Sequence, residues 1–104
     1  MKKVTVILKD LVKGTITNND AVPLKVLMDN VISDGGALVI SFNEIALIST
    51  SFLNSSFGEI IEKYGYEVLK GRVTITNYSS ELAAVIKKYV EDFKDTIPVV
   101  HGDF

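Results

Sequence analysis

Six consecutive residues, Ala37-Leu38-Val39-Ile40-Ser41-Phe42, form an almost unbroken apolar run with Gly35-Gly36 before it and Asn43 after it. A run this short and this apolar, closed off by turn residues, is the pattern of a strand buried on both faces near the centre of an α/β sheet. Such a strand needs other elements to cover it, and the flanking sequence supplies them. Asn18-Asn19-Asp20 offer capping side chains ahead of a helix over Ala21–Ser33, in which Leu24, Leu27, Met28, Val31 and Ile32 recur at helical spacing. Pro23 falls in its first turn, where a missing N–H costs little, and Asp34-Gly35-Gly36 ends it. No Lys-Ser/Thr follows the glycine pair, so a phosphate-cradling loop is disfavoured there.

The rest of the chain repeats the alternation. Val4 to Val12 is β-branched at its start and reads as a strand that bends or pairs as a hairpin with Thr15–Thr17. A second helix is expected over Ser51–Tyr64, with Phe52, Leu53, Phe57, Ile60, Ile61 and Tyr64 on its apolar stripe and Asn54, Ser55, Glu59, Glu62 and Lys63 off it; Gly65 stops it. Arg72–Asn77 is the next strand. Ser79-Ser80-Glu81 then open a third helix that turns Leu82, Val85, Ile86, Tyr89, Val90 and Phe93 inward. The order β, α, β, α, β, α implies right-handed crossovers and a mixed, mostly parallel sheet of about four strands with three main helices. One domain fills residues 1–104, with a core over about 4–93 and an edge strand or loose tail over 96–104.

Composition removes whole classes of function. The 104 residues contain no cysteine, which excludes disulfides, thiolate zinc sites and cysteine nucleophiles. The single histidine, His101, sits beside Asp103 near the terminus, where preorganisation of a dyad is poor. Eleven basic and thirteen acidic residues give a net charge of −2, so the basic footprint of a nucleic-acid binder is missing. The four tyrosines then read as core or rim aromatics rather than base-stacking platforms. Asp29 with Asp34, Glu59 with Glu62, and Lys87-Lys88 read as solvated helix faces. The apolar run after Met1-Lys2-Lys3 breaks at Lys9-Asp10, too short for a signal peptide, and no apolar stretch reaches membrane-spanning length. A cytoplasmic protein with no cofactor and no metal is expected.

One segment is chemically unusual. Ile48-Ser49-Thr50-Ser51-Phe52-Leu53 places three consecutive hydroxyl residues between the exit of the apolar strand and the start of the second helix. Two readings stand. One hydroxyl caps the helix, worth ~1 kcal/mol. The remaining hydroxyls lie at the positive end of the helix dipole, a position that suits a phosphate.

This segment, followed by Phe57-Gly58-Glu59-Ile60, resembles the STAS domain, and more narrowly the STAS-like family of unknown function often associated with histidine-kinase-like ATPases. The likeness spans roughly Val4 to Phe93. STAS domains are best known in bacterial anti-sigma factor antagonists, where the segment reads Asp-Ser-Ser-Gly and the first serine is phosphorylated by a partner that is itself a kinase. Laid on this chain, Ser49 takes the aspartate position, Thr50 the phosphoacceptor position, Ser51 the second serine and Phe52 the glycine; three of the four differ in type.

The resemblance implies a non-enzymatic regulatory module. It would dock to a histidine-kinase-like ATPase, an anti-sigma factor or another regulator, with no nucleic acid and no membrane involved. Candidate phosphoacceptors are Thr50, Ser49 and Ser51, and the candidate docking residues are Thr50, Asn54, Ser55 and Glu62. The alternative is a module that binds a nucleotide or a small phosphorylated ligand at the same helix start.

Overall fold

Three parallel strands, β1 (Lys3–Ile7), β2 (Ala37–Ser41) and β3 (Val73–Thr76), make the sheet of the computed structural model, which describes residues 2–96. Their order is β1-β2-β3, so the apolar run is the central strand, as its composition predicts. Val4 lies opposite Leu38 and Leu38 opposite Val73; Val6, Ile40 and Ile75 form the next row. Residues paired in this way share a face. This face is the core side, with Leu38 and Ile40 completely buried.

The other face is open. Lys3, Thr5, Ile7 and Thr74 are exposed and Ala37, Val39 and Thr76 half-buried, so β2 is covered on one side rather than both. The order β1-β2-β3 carries the chain one way across the sheet, so two right-handed crossovers bring their helices to the same, core face. The chain also has three strands among the described residues where about four are expected. The expected edge strand or tail at 96–104 lies outside them beyond Thr96, which ends the last helix, and so does the His101–Asp103 pair.

The strand expected over Val4–Val12 ends at Ile7. A single helical turn, α1 (Leu8–Leu11), follows, with Leu8 completely buried. No hairpin with Thr15–Thr17 forms; β1 pairs with β2, and the Thr15 carbonyl accepts the Ser49 N–H at 2.9 Å. A 3-10 turn (Asn19–Ala21) leads into α2 (Val22–Ser33), which has Pro23 in its first turn. At the far end Gly35 has φ 81, and Gly36 and Gly35 return their N–H groups to the Val31 and Ile32 carbonyls at 2.8 and 3.0 Å. That paired closure is why the glycines stand there. Arg72 adds a second lock, donating to the Gly36 and Ile32 carbonyls at 2.5 and 3.1 Å.

The second predicted helix is continuous but not uniform. It runs as α3 (Thr50–Leu53), a π-helical turn (Asn54–Gly58) and α4 (Glu59–Tyr64). The widened turn rotates Ser56 into full burial, where its hydroxyl donates to the Phe52 carbonyl at 2.7 Å. After Gly65 comes a helix the sequence did not announce, α5 (Tyr66–Arg72), whose Leu69 is buried. The last helix, α6 (Ser80–Thr96), starts on Ser79, whose hydroxyl accepts the Leu82 N–H at 3.1 Å. Leu82 and Ile86 are buried and Tyr89 and Val90 half-buried, while Val85, expected inside, is 43% exposed. Val85 sits at the margin of the stripe, and a three-stranded sheet is too narrow to cover that margin. The Phe93 side chain lies outside the described residues. Among the described residues no helix is long and apolar enough to cross a membrane.

Candidate functional site

Parallel strands bring their C-terminal ends to one edge of the sheet, the edge at which α/β proteins gather functional loops. Here that edge collects the segments after Ile7, Ser41 and Thr76, including the hydroxyl loop. Ser49 is the organising residue. It adopts an extended conformation at the N-cap, and its hydroxyl accepts the Phe52 N–H at 3.0 Å while its carbonyl accepts the Leu53 N–H at 3.0 Å. The same hydroxyl donates to the Ile16 carbonyl. Beside it, the Thr15 hydroxyl donates to the Leu47 carbonyl. The 15–16 and 47–49 segments are thus tied by main-chain and hydroxyl bonds, and the capping hydroxyl is Ser49.

The next two hydroxyls are differently placed. Thr50 and Ser51 are exposed, and among the described residues neither side chain is hydrogen-bonded. Phe52 and Leu53 plunge into the core and are completely buried. The bulk at Phe52 is therefore a core anchor immediately after the loop, and it fixes the direction in which Thr50 and Ser51 project.

Of the other candidate docking residues, Asn54 and Glu62 are exposed and Ser55 is half-buried. Asn54 is not a free surface group, since its Oδ1 accepts the Tyr89 hydroxyl from α6 at 2.7 Å. Burial pushes the Tyr89 phenol up to about 12, and the negative charge of Glu62 adds to the rise. Asn54 and Glu62 therefore converge on Tyr89, where the second helix meets α6. Thr50 opens that helix one turn before Asn54, beside the sheet-edge loops.

A second polar cluster joins α2 to α4. Asp29 accepts the Tyr64 hydroxyl and the Lys63 ammonium, the latter at 2.9 Å. The Tyr64 hydrogen bond and then the Lys63 one hold the Asp29 carboxyl below its ordinary 3.8, and the Lys63 ammonium and Tyr64 phenol are raised in return. Lys63 also stands 5.4 Å from the Tyr64 ring centre. Asp29, whose spacing reads as a solvated face, and Tyr64, which reads as a core or rim aromatic, together join two helices.

Sequence reasoning missed the apolar surroundings of the hydroxyl loop. Leu47 is 64% exposed and Ile16 is 48% exposed, and both belong to the segments tied through Ser49. Tyr78, in the loop after β3 at the same sheet edge, is 47% exposed. The available signal was an apolar Ile45-Ala46-Leu47-Ile48 loop that could not all be buried. A neighbouring cleft of about 220 Å³ is lined by Lys9, Lys13, Thr15, Glu44 and Leu47 among others, with Lys9 paired to Glu44.

Comparison with known proteins gives one match. The family model described as "STAS-like domain of unknown function" (DUF4325) covers residues 24–83, from the first full turn of α2 through the hydroxyl loop and β3 into α6. No curated protein and no solved structure matches.

Proposed function

Because the chain belongs to the family of STAS-like domains, we propose that it is a non-enzymatic regulatory module that docks to a protein partner through its hydroxyl loop. The observation that carries this reading is the pairing of exposed apolar side chains, Ile16 and Leu47, with exposed hydroxyls, Thr50 and Ser51, on segments held together by Ser49. Apolar anchors beside groups that hydrogen-bond or accept phosphate are the makings of a switchable interface. The proposed partner is a histidine-kinase-like ATPase, an anti-sigma factor or a similar regulator.

Thr50 is the favoured phosphoacceptor. Its hydroxyl is exposed, and Ser51 shares that exposure, whereas the Ser49 hydroxyl is engaged on both sides. A phosphate there would carry about −1.5 to −2 charges and take the net charge from −2 to about −4. It would stand at a helix start that favours anions, so the domain would tolerate it; a partner desolvating the loop would lose affinity, tenfold for each ~1.4 kcal/mol.

Binding of a nucleotide or small phosphorylated ligand ranks second. The cleft beside the loop, about 220 Å³, is smaller than the ~300–1,000 Å³ usual for such sites, and its Lys9 is committed to Glu44. Titration of the isolated protein with nucleotides by thermal shift separates the two: a rise in melting temperature without partner binding supports the ligand reading. Partner binding that Thr50→Glu abolishes and Thr50→Ala preserves supports the docking one.

A further inference from the structure

Among the described residues β1 pairs only with β2, which leaves its other edge available. The direction of its backbone groups follows from one bond: the Ala37 N–H donates to the Lys2 carbonyl at 2.7 Å. In a strand, main-chain groups alternate sides, so Lys2, Val4 and Val6 turn theirs toward β2, and Lys3, Thr5 and Ile7 turn theirs outward. Edges of this kind are normally blunted by lysines, proline, a bulge or an inward charge, and here the lysines, Lys2 and Lys3, stand at one end of the strand only. Lys3–Ile7 contains no proline, and its register with Ala37–Ser41 advances residue by residue with no bulge. Among the described residues Val4 and Val6, on the core face of this edge, remain only half-buried.

We infer that this edge is a self-association surface, pairing with β1 of a second copy in antiparallel fashion about a two-fold axis through Thr5. The sequence of the strand is complementary to itself in that register. Thr5 faces Thr5, and each Lys3 faces an Ile7; the Ile7 carbonyl already serves the first turn of α1, so the remaining outward groups meet in about four main-chain hydrogen bonds. On the core face Val4 meets Val6, which closes over two side chains that are otherwise half-exposed. On the open face the 41%-exposed Ile7 is covered by the aliphatic stem of Lys3, and the two Lys3 charges are kept at opposite ends of the joint. A register centred on Val6 uses fewer of the outward groups, and one centred on Val4 sets Lys2 opposite Val6 on the core face. The product is a six-stranded sheet with both helix layers on one side, distinct from the hydroxyl-loop edge.

Sedimentation velocity of the 104-residue chain across a concentration series reads the association. Two substitutions at outward positions leave the β1–β2 ladder intact. Thr5→Pro removes an N–H that points away from β2, a position where an edge strand accepts proline. Ile7→Lys sets like charges opposite each other at Lys3. A concentration-dependent dimer in the wild type that each substitution weakens by roughly tenfold or more, with circular dichroism unchanged in at least Ile7→Lys, is the expected result. Slow, concentration-dependent amide exchange at Thr5 and Ile7, with Lys3 less protected by end fraying, accompanies it. A wild-type protein that stays monomeric at about 200 µM, or a dimer indifferent to Ile7→Lys, overturns the inference.

Discussion

The Ser49 hydroxyl donates to the main-chain oxygen of Ile16 across thirty-three positions of sequence while it accepts the N–H of Phe52 in its own helix. One small side chain thus caps a helix and fixes the distance between two loops. Ser49 is spent on structure, and Thr50 and Ser51 beside it stay exposed.

Ser49→Ala should destabilise the fold by about 1–2 kcal/mol, since it deletes the N-cap and the tie to Ile16, whereas Thr50→Ala should stay within about 0.5 kcal/mol of wild type. Urea unfolding of the two variants side by side checks the difference. Equal stabilities would show that Ser49 does not organise the loop.

Gly36→Ala should also be costly, by about 1–3 kcal/mol, because a Cβ there would come within 2.8 Å of the Lys2 carbonyl and 3.3 Å of Val31. The backbone oxygen cannot step aside without disturbing the entry of β1 beside β2. Thermal unfolding of Gly36→Ala against Gly71→Ala, where a Cβ meets nothing, isolates the steric part.

Much of this fold was legible in the sequence. The Ala37–Phe42 run located the central strand, and Pro23 with the glycine pair bracketed α2 to within a turn. What was hidden has physical causes. Helix α5 is seven residues long and contains Gly71, so its periodicity never accumulates. The π-turn shifts the apolar stripe by one position at Ser56, a residue whose burial depends on a backbone distortion and not on its own polarity. At the site, the loop announced its chemistry through three adjacent hydroxyls, but which one is the cap was decided by the position of Ile16, far away in sequence.

The acid side of the stability profile should carry the Asp29 cluster. Its carboxyl is held below 3.8 by Tyr64 first and Lys63 second, so the charged form is favoured in the folded state. The resulting stability is present above 3.8 and is lost as pH falls through the depressed value. Asp29→Asn should therefore be less stable than wild type at neutral pH and show a shallower acid-side decline, measured by chemical unfolding at a series of pH values. Tyr64→Phe should move the Asp29 titration, followed by carboxyl NMR, back toward its ordinary position.

On the alkaline side the sign reverses. The Tyr89 phenol, raised from 10.0 to about 12 by burial and by Glu62, holds its proton more tightly when folded. Stability should be intact below 10.0 and fall as pH climbs from there toward about 12. Tyr89→Phe should flatten that decline in part, since Tyr64 is raised as well. Phenolate absorbance of wild type and Tyr89→Phe across the same range checks it.

The central claim is that the hydroxyl loop and its apolar neighbours form a docking surface under charge control. Surface plasmon resonance against a candidate partner of the proposed class, a histidine-kinase-like ATPase or an anti-sigma regulator, using wild type, Thr50→Ala, Thr50→Glu and Leu47→Asp, tests it most directly. Binding retained by Thr50→Ala and weakened at least about tenfold by Thr50→Glu and by Leu47→Asp is the predicted result. Equal binding by all four proteins would contradict it.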